Sequence, residues 1–304
     1  MVEEALSLLS ARKARSVAEA IDLKAAKAPV RCMRNTLLSG ALALLAACAS
    51  APAEQAVTPA PVIAAERAFA ARAGEIGWIP AFREYTAPDG MVGNFENAPQ
   101  SLAATPDDGS RNLFWWPAYA GIARSGDFGF TTGPFSVDEA RTPRGQYFTV
   151  WRRQPDGSWK WIWDGGPGPR PDALNHGIDA AELPTLPVAA RGVGAAAAEQ
   201  VRAIETSHAS AGGLVSYVAA DAQVYRSTRP TGGAAADTFV FPGANIAYTT
   251  RRVEASEAGD LVFTLGEARF SFNGQERQGQ YARIWQYRPD GWRIVYDQLT
   301  APAR

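Results

Sequence analysis

Apolar positions recur at helical spacing at the start of each half of the chain, and denser apolar runs follow them. In the first half, Val62, Ala65, Phe69 and Ala73 keep a helical period. A second helix is predicted after Gly77, with Trp78, Phe82 and Tyr85 on one side and Pro80 in its first turn, where a missing N–H is tolerated. In the second half, Val201, Ile204 and His208 make one helical face, followed by Leu214, Tyr217 and Val218. Strands come next. Gln146 to Arg153 and Trp159 to Asp164 are rich in β-branched and aromatic residues, and Gln154-Pro155-Asp156-Gly157-Ser158 joins them. Proline presets one turn dihedral and glycine permits a positive one, so the two runs form a hairpin. Arg288-Pro289-Asp290-Gly291 predicts the same turn later. By strict alternation Trp159, Trp161 and Trp163 share one face of the hairpin, while Phe148, Val150 and Ile162 make its other side apolar too. A hairpin apolar on both sides must be covered on both.

The two halves repeat. Gly126-Asp127-Phe128 matches Gly259-Asp260-Leu261, Gly145-Gln146-Tyr147 matches Gly279-Gln280-Tyr281, and Trp151 matches Trp285. Pro155-Asp156-Gly157 matches Pro289-Asp290-Gly291, Asp164 matches Asp297, and Tyr85 and Asp89 match Tyr217 and Asp221. The offset stays between 132 and 134, which chance does not produce over so many Gly, Trp and Asp positions. Helices followed by a hairpin-connected antiparallel sheet, twice, is an α+β architecture. Residues 62–166 are read as domain 1, the Pro/Gly-rich stretch 167–194 as a linker, and residues 195–301 as domain 2.

The run GDFGFTTGPF and the later RGQYFTVWRRQPDGSWKWIWDGG are similar to the C-terminal half of NTF2-like proteins of the SnoaL-like, DUF4440 type. The upstream AFREYTAPDG resembles their second helix and the turn into the sheet. The resemblance is good over 62–166 and weaker over 195–301. It implies a cone in each half, with helices packed in a curved antiparallel sheet around a pocket. It also implies a pseudo-dimer of the two halves through their sheets. Related enzymes include ketosteroid isomerases, dehydratases and epoxide hydrolases, which use Asp, Tyr, His or Arg inside the cone; other members have no reaction.

The N-terminal stretch has another pattern. Arg34 opens a short basic stretch, Leu37 to Ala47 is almost wholly apolar, and Cys48 follows. An apolar run of about 11 residues is too short to span a bilayer, which needs roughly 20. Residues 33–47 therefore read as a signal peptide. Leu45-Ala46-Ala47-Cys48 resembles the bacterial lipobox, which implies lipidation of Cys48 and cleavage before it; Ala49 after the Cys implies the periplasmic face of the outer membrane. Residues 48–61 are an Ala/Pro/Thr tether, and residues 1–32, which precede Met33, read as a mis-assigned gene start.

Composition narrows the chemistry. Removing the 7 basic and 4 acidic residues of 1–47 leaves 23 basic and 27 acidic, near −4, with no basic excess for nucleic acid. The body then has no cysteine, hence no disulfide, thiolate site or Cys nucleophile. With two His in the chain, one of them (His176) in the linker, no metal or other cofactor is expected. There is no GxSxG elbow, no phosphate loop and no HExxH; Gly212-Gly213 and Gly232-Gly233 read as turns or loops.

Candidate acid–base residues are the Tyr85/Asp89 and Tyr217/Asp221 pairs and His208. A Tyr beside a carboxylate in an apolar cone can shift protons. Their presence in both halves favours a fold role, because one active site does not need two copies. His208 is a possible general base, or a hydrogen-bonded wall residue. Asp164 and Asp297 end the last strand of each repeat, facing a pocket mouth or paired with Arg152, Arg153, Arg283 or Arg293. Trp116, Tyr147, Trp151, Tyr281 and Trp285 are candidate pocket walls, and Trp115-Trp116 either stacks a ring or fills a core. These readings lead to an exported, lipid-anchored envelope protein that binds a small apolar ligand or serves as a scaffold. The alternatives are an isomerase- or dehydratase-type enzyme and a structural protein with filled cones.

Overall fold

The computed structural model describes residues 56–93, 95–166, 182–226, 234–240, 245–272 and 274–300. Cys48, the signal and tether through residue 55, His176 and Gly232-Gly233 lie outside the described residues. Helix α1 (Ala60–Ile76) buries Val62, Glu66, Phe69 and Ala73, one stripe that includes a carboxylate. Gly77, at φ 98°, breaks it before α2 (Trp78–Tyr85), which buries Ile79, Ala81 and Phe82. Strand β1 (Thr86–Val92) starts directly after Tyr85, and β2 (Glu96–Asn97) returns beside it. In α3 (Ala98–Ala104) the Asn97 side chain caps the N-terminus by accepting from the Gln100 N–H at 3.0 Å. Then come β3 (Phe114–Trp115), β4 (Tyr119–Ile122), β5 (Phe128–Ser136), β6 (Gly145–Arg153) and β7 (Trp159–Gly165). The β6–β7 turn is closed by Gln154 N–H to Ser158 O at 2.7 Å, with Gly157 at φ 86°.

The second half has α4 (Ala197–Ser207), the single helical turn α5 (Ala211–Leu214), β8 (Val218–Arg226), α6 (Ala235–Val240), β9 (Ala247–Ala255), β10 (Leu261–Phe272), β11 (Gln275–Arg288) and β12 (Gly291–Thr300). Gly212 and Gly213 thus lie in a helical turn, not in a loop. Helix α4 stops at Ser207, so His208 caps it and does not continue its apolar face. The stripe Val201–His208 is therefore shorter than its spacing suggests.

Both halves place their strands alike. The first sheet has seven strands, running β2-β1-β7-β6-β5-β3 with β4 also on β5; the second has five, running β8-β12-β11-β10-β9. In each, the strand after the helices pairs in parallel with the last strand, β1 with β7 and β8 with β12. The helices cover one face of their sheet, enclosing a core around Phe69, Phe82, Trp151 and Trp161 in the first half and one around Val201, Phe239, Tyr281 and Trp285 in the second. A third core joins the opposite faces of the two sheets. In it Phe148 stacks on Tyr296 at 4.1 Å between centroids, and Phe263 lies 6.4 Å from both Phe148 and Trp163. From the 167–194 stretch, Leu186 is buried in this core and its N–H donates to Ala120 O.

The three Trp of β7 do not share a face. Val150 pairs with Trp163 and Trp151 with Trp161, so Ile162 is one residue too many. This bulge breaks the alternation. Trp161 enters the helix-covered core, while Ile162 and Trp163 both join the core between the sheets. The second half has the same bulge at Val295, with Ile284 opposite Tyr296 and Trp285 opposite Ile294.

Candidate functional site

The bulge decides where the last-strand aspartates go. Simple alternation from Trp161 sends Asp164 away from the helices; one extra residue reverses the parity and puts it back beside Thr149, its cross-strand partner. Thr149 Oγ1 donates to Asp164 Oδ2 at 2.8 Å. Deeper on the same side lies Glu66 of α1, fully buried. It accepts from Trp115 Nε1 at 2.5 Å, from Trp151 Nε1 at 3.0 Å and from the Thr131 hydroxyl. Among the described residues no Lys or Arg forms an ion pair with either acid, although a buried carboxylate ordinarily has one. Burial, and then the charge of Glu66, push the Asp164 carboxyl up to about 8. Burial likewise raises Glu66, against the pull of its hydroxyl and indole donors. Near neutral pH Asp164 is therefore largely an uncharged acid.

A pocket opens onto Asp164, with Glu66 buried behind its wall. It holds about 740 Å³ of empty space including its mouth. Phe82, Leu113, Trp115 and Phe135 supply apolar walls; Gln146, Tyr147, Trp163 and Asp164 supply polar ones. Gln280 and Thr300 of the second half complete the lining. Gln280 is held there by its Nε2, which donates to Gly93 O at 2.7 Å. Gly166 also lines the pocket, and a Cβ there would come within 1.9 Å of Gln146 O, so the strand end approaches β6 as only glycine allows. Among the described residues, three buried polar atoms on this lining have no hydrogen-bond partner: Gln146 Oε1, the Tyr147 hydroxyl and Trp163 Nε1. Thr131, which approaches the Tyr147 hydroxyl, is already engaged with Glu66 and Trp151. Burial, then Glu66, raises Tyr147 well above its ordinary value, so it stays a neutral phenol. Unpaired buried polar atoms are rare, and three around one opening mark a place prepared for a ligand's own polar groups.

The second half carries the corresponding acids and treats them differently. Glu205 of α4 accepts from Thr250 at 2.5 Å, Thr264 at 2.7 Å, Tyr281 at 2.6 Å and Trp285 at 2.9 Å. Arg283, which stands where the first half has Thr149, donates to Glu205 at 2.8 Å and to Asp297 at 2.6 Å. Strand β8 runs two residues past Val224, the partner of Asp297, and brings Arg226 to Asp297 at 2.5 Å. Strand β1 ends at Val92, the partner of Asp164. Burial tends to raise Glu205, but the Arg283 guanidinium and the hydroxyl donors hold it below the usual carboxylate range. Burial alone would lower Arg283; Asp297 and Glu205 raise it instead.

The other sequence candidates are dispersed. Tyr85 ends α2 and packs on Phe69, with ring centroids 4.9 Å apart, whereas Asp89 belongs to β1 and points elsewhere. Asp89 is exposed and bound by Arg152 at 2.5 Å and Arg252 of the second half at 2.7 Å. It lines a shallow groove with Met91 and Glu254, outside the pocket. Burial would raise it, but the two arginines keep it below the ordinary carboxylate value. Asp221 is exposed and forms a two-pronged pair with Arg288, at 2.7 and 2.9 Å. His208 is half-buried, with Nδ1 3.1 Å from Ile204 O and its ring 5.4 Å from Tyr217, which in turn packs on Trp285. Among the five aromatic wall candidates, Tyr147 lines the pocket. Trp151, Tyr281 and Trp285 donate to the buried glutamates, and Trp116 is buried with Trp115 in the core.

Glu66 and Glu205 are not among the candidates that the sequence singles out, although it carries a signal for both. Each sits four residues after a buried valine, Val62 or Val201, on an otherwise apolar stripe. They are 139 residues apart, not 132–134, so the repeat register did not align them.

The chain matches no family model and no curated protein. Among solved structures it is similar to an NTF2-like protein of unknown function from Pseudomonas putida KT2440, with 14% identity, TM-score 0.28, and coverage of 37% of this chain and 92% of that one. It is also similar to a ketosteroid isomerase-like protein from Erwinia carotovora atroseptica, with 14% identity, TM-score 0.28, and coverage of 36% and 96%. A third is a domain of unknown function with a cystatin-like fold from Nostoc punctiforme, with 14% identity, TM-score 0.30, and coverage of 37% and 81%.

Proposed function

We propose that the chain is a tandem NTF2-like lipoprotein of the cell envelope, anchored through Cys48, whose first half binds a small, mostly apolar molecule. Its second half serves as the scaffold that completes the pocket. The observation that carries this reading is the open, largely apolar pocket ringed by the unpaired polar atoms of Gln146, Tyr147 and Trp163 and ending at Asp164. The second half supports the scaffold role, because its acids are already bonded to its own arginines. The two halves act as one body through the core between their sheets.

Native mass spectrometry of the protein extracted from its host envelope tests the binding role. A co-purifying molecule of defined mass that a bulky Leu113→Trp substitution on the pocket wall removes is the expected result. A chain that carries nothing and takes up nothing from an envelope extract refutes it. Intact mass tests the anchor, since a diacylglyceryl increment absent from Cys48→Ser is expected.

One observation favours a reaction in addition. An acid held to about pH 8 beside a neutral phenol is the equipment of an isomerase or dehydratase that moves a proton near a carbonyl. Asp164 and Tyr147 would carry such chemistry, not Asp89 or His208. Turnover with an inflection near pH 8 that disappears in Asp164→Asn is its signature; turnover unchanged by that substitution excludes it.

A further inference from the structure

The two halves hold the same pair of acids, one on the first buried helix and one at the end of the last strand. In the second half a guanidinium lies between them, Arg283 touching Glu205 at 2.8 Å and Asp297 at 2.6 Å. It is also enclosed by rings, 4.5 Å from the centroid of Tyr281, 4.7 Å from Tyr248 and 5.3 Å from Phe239. In the first half the residue at that strand position is Thr149, which carries no charge, and the pocket opens at its partner Asp164. The acids remain and so does the matching ring, Tyr147 for Tyr281.

We infer that the first-half pocket takes the cationic head, an ammonium, amidinium or guanidinium group, of a small organic molecule, in the place that Arg283 fills inside the second half. This rests on the reading of that pocket as a ligand site and names its ligand class. Three further features fit. Gln146 Oε1, buried and unpartnered on the pocket lining, is an acceptor that suits N–H donors. Tyr147 and Trp115 provide aromatic surface beside the acids. Phe82, Leu113 and Phe135 give the apolar remainder of the ligand a surface to cover.

The same arrangement couples binding to protons. Among the described residues, the titratable groups that act most strongly on Asp164 and Tyr147 are Glu66 from α1, each other, and Tyr296 from β12. None is a cation, so the empty site keeps its charge low by holding protons. An arriving cation favours the ionised acids, and the displaced proton leaves to solvent. Affinity therefore rises with pH, up to about tenfold per unit for each proton released, and levels off above about 8.

Calorimetric titration of the whole chain with benzamidinium, and with its neutral isostere benzamide, tests this. Titrations in phosphate and in Tris at pH 7 count the protons. Benzamidinium is expected to bind with proton release, and benzamide at least tenfold more weakly. Thr149→Arg, which places a guanidinium where the second half has one, should abolish binding. If that variant does not fold, the isosteric Asp164→Asn decides, and is expected to weaken benzamidinium at least tenfold and remove most of the proton release. Equal binding of the neutral isostere, or binding indifferent to Asp164→Asn, overturns the cation inference while leaving the pocket a ligand site. If neither probe binds and the native protein carries no ligand, both readings fall.

Discussion

The first and second halves bury equivalent carboxylates in equivalent places, yet one pair is a finished piece of core and the other is not. Glu205 and Asp297 are crossed by Arg283 and Arg226, so their charges are compensated and five hydrogen bonds converge on Glu205. Among the described residues Glu66 and Asp164 have hydroxyl and indole donors and no cation, and the cheaper state for such a pair is to carry protons. Two differences separate the outcomes: Thr149 against Arg283, and the two further residues of β8 that bring Arg226 to Asp297. A fold that must bury an acid on this helix can thus either neutralise it internally or leave space beside it. The second choice makes a site.

The comparison predicts its largest effect at Arg283. Arg283→Met leaves Glu205 buried without its cation and should lower stability by about 3–5 kcal/mol in urea titrations. A loss under about 1 kcal/mol would mean that the guanidinium does not hold the second core together.

Next comes pH. Folded Asp164 keeps its proton to about 8, while its ordinary value is 3.8. Between these values the folded chain binds the extra proton. This contribution is complete at the acid end and is lost as pH rises, by up to about 1.4 kcal/mol per pH unit. Glu205 acts with the opposite sign: held below its ordinary range, it stabilises above that range and the contribution fades on acidification. The difference in stability between the native chain and Asp164→Asn, followed from pH 5 to 8, should fall steadily; a flat difference would show that Asp164 is not protonated in the fold.

A smaller effect is expected at a position that distinguishes the halves. Thr149→Val removes a hydroxyl that donates to a mostly neutral acid and should cost about 1 kcal/mol, well below Arg283→Met. Equal losses would erase the distinction. The smallest belong to the exposed acids. Asp221→Ala breaks a surface pair with Arg288, and Asp89→Ala breaks one that bridges the halves. Both should cost under about 1 kcal/mol in thermal melts, since water screens them. A much larger loss for Asp89 would reveal that the contact between the sheets depends on its two arginines.

Much of the architecture could be read from the chain because it is local. The helical stripe from Val62 to Ala73, the break at Gly77 and the hairpin at Pro155-Asp156-Gly157 all follow from neighbours in sequence. The site was less legible. Tyr85 and Asp89, four apart, would share surroundings only on one continuing helix; the strand beginning at Thr86 sends them to different ones. One bulged residue, Ile162, turns Trp163 off the face that alternation gives it with Trp159 and Trp161, and the pairing of β6 with β7 reveals this where composition does not. Glu66 resembled an ordinary polar interruption of an apolar stripe, because nothing local shows that two indoles and a threonine from distant strands close on it.

The sequence by itself determined the duplication, the helix-then-sheet order of each half and the paired acids at 164 and 297, since these are properties of spacing and repetition along one chain. Tertiary structure alone decided which acids are neutralised. Whether a buried carboxylate meets a guanidinium or an open pocket depends on which strand lies across from it and how far that strand runs, and burial of charge is settled only where distant segments meet.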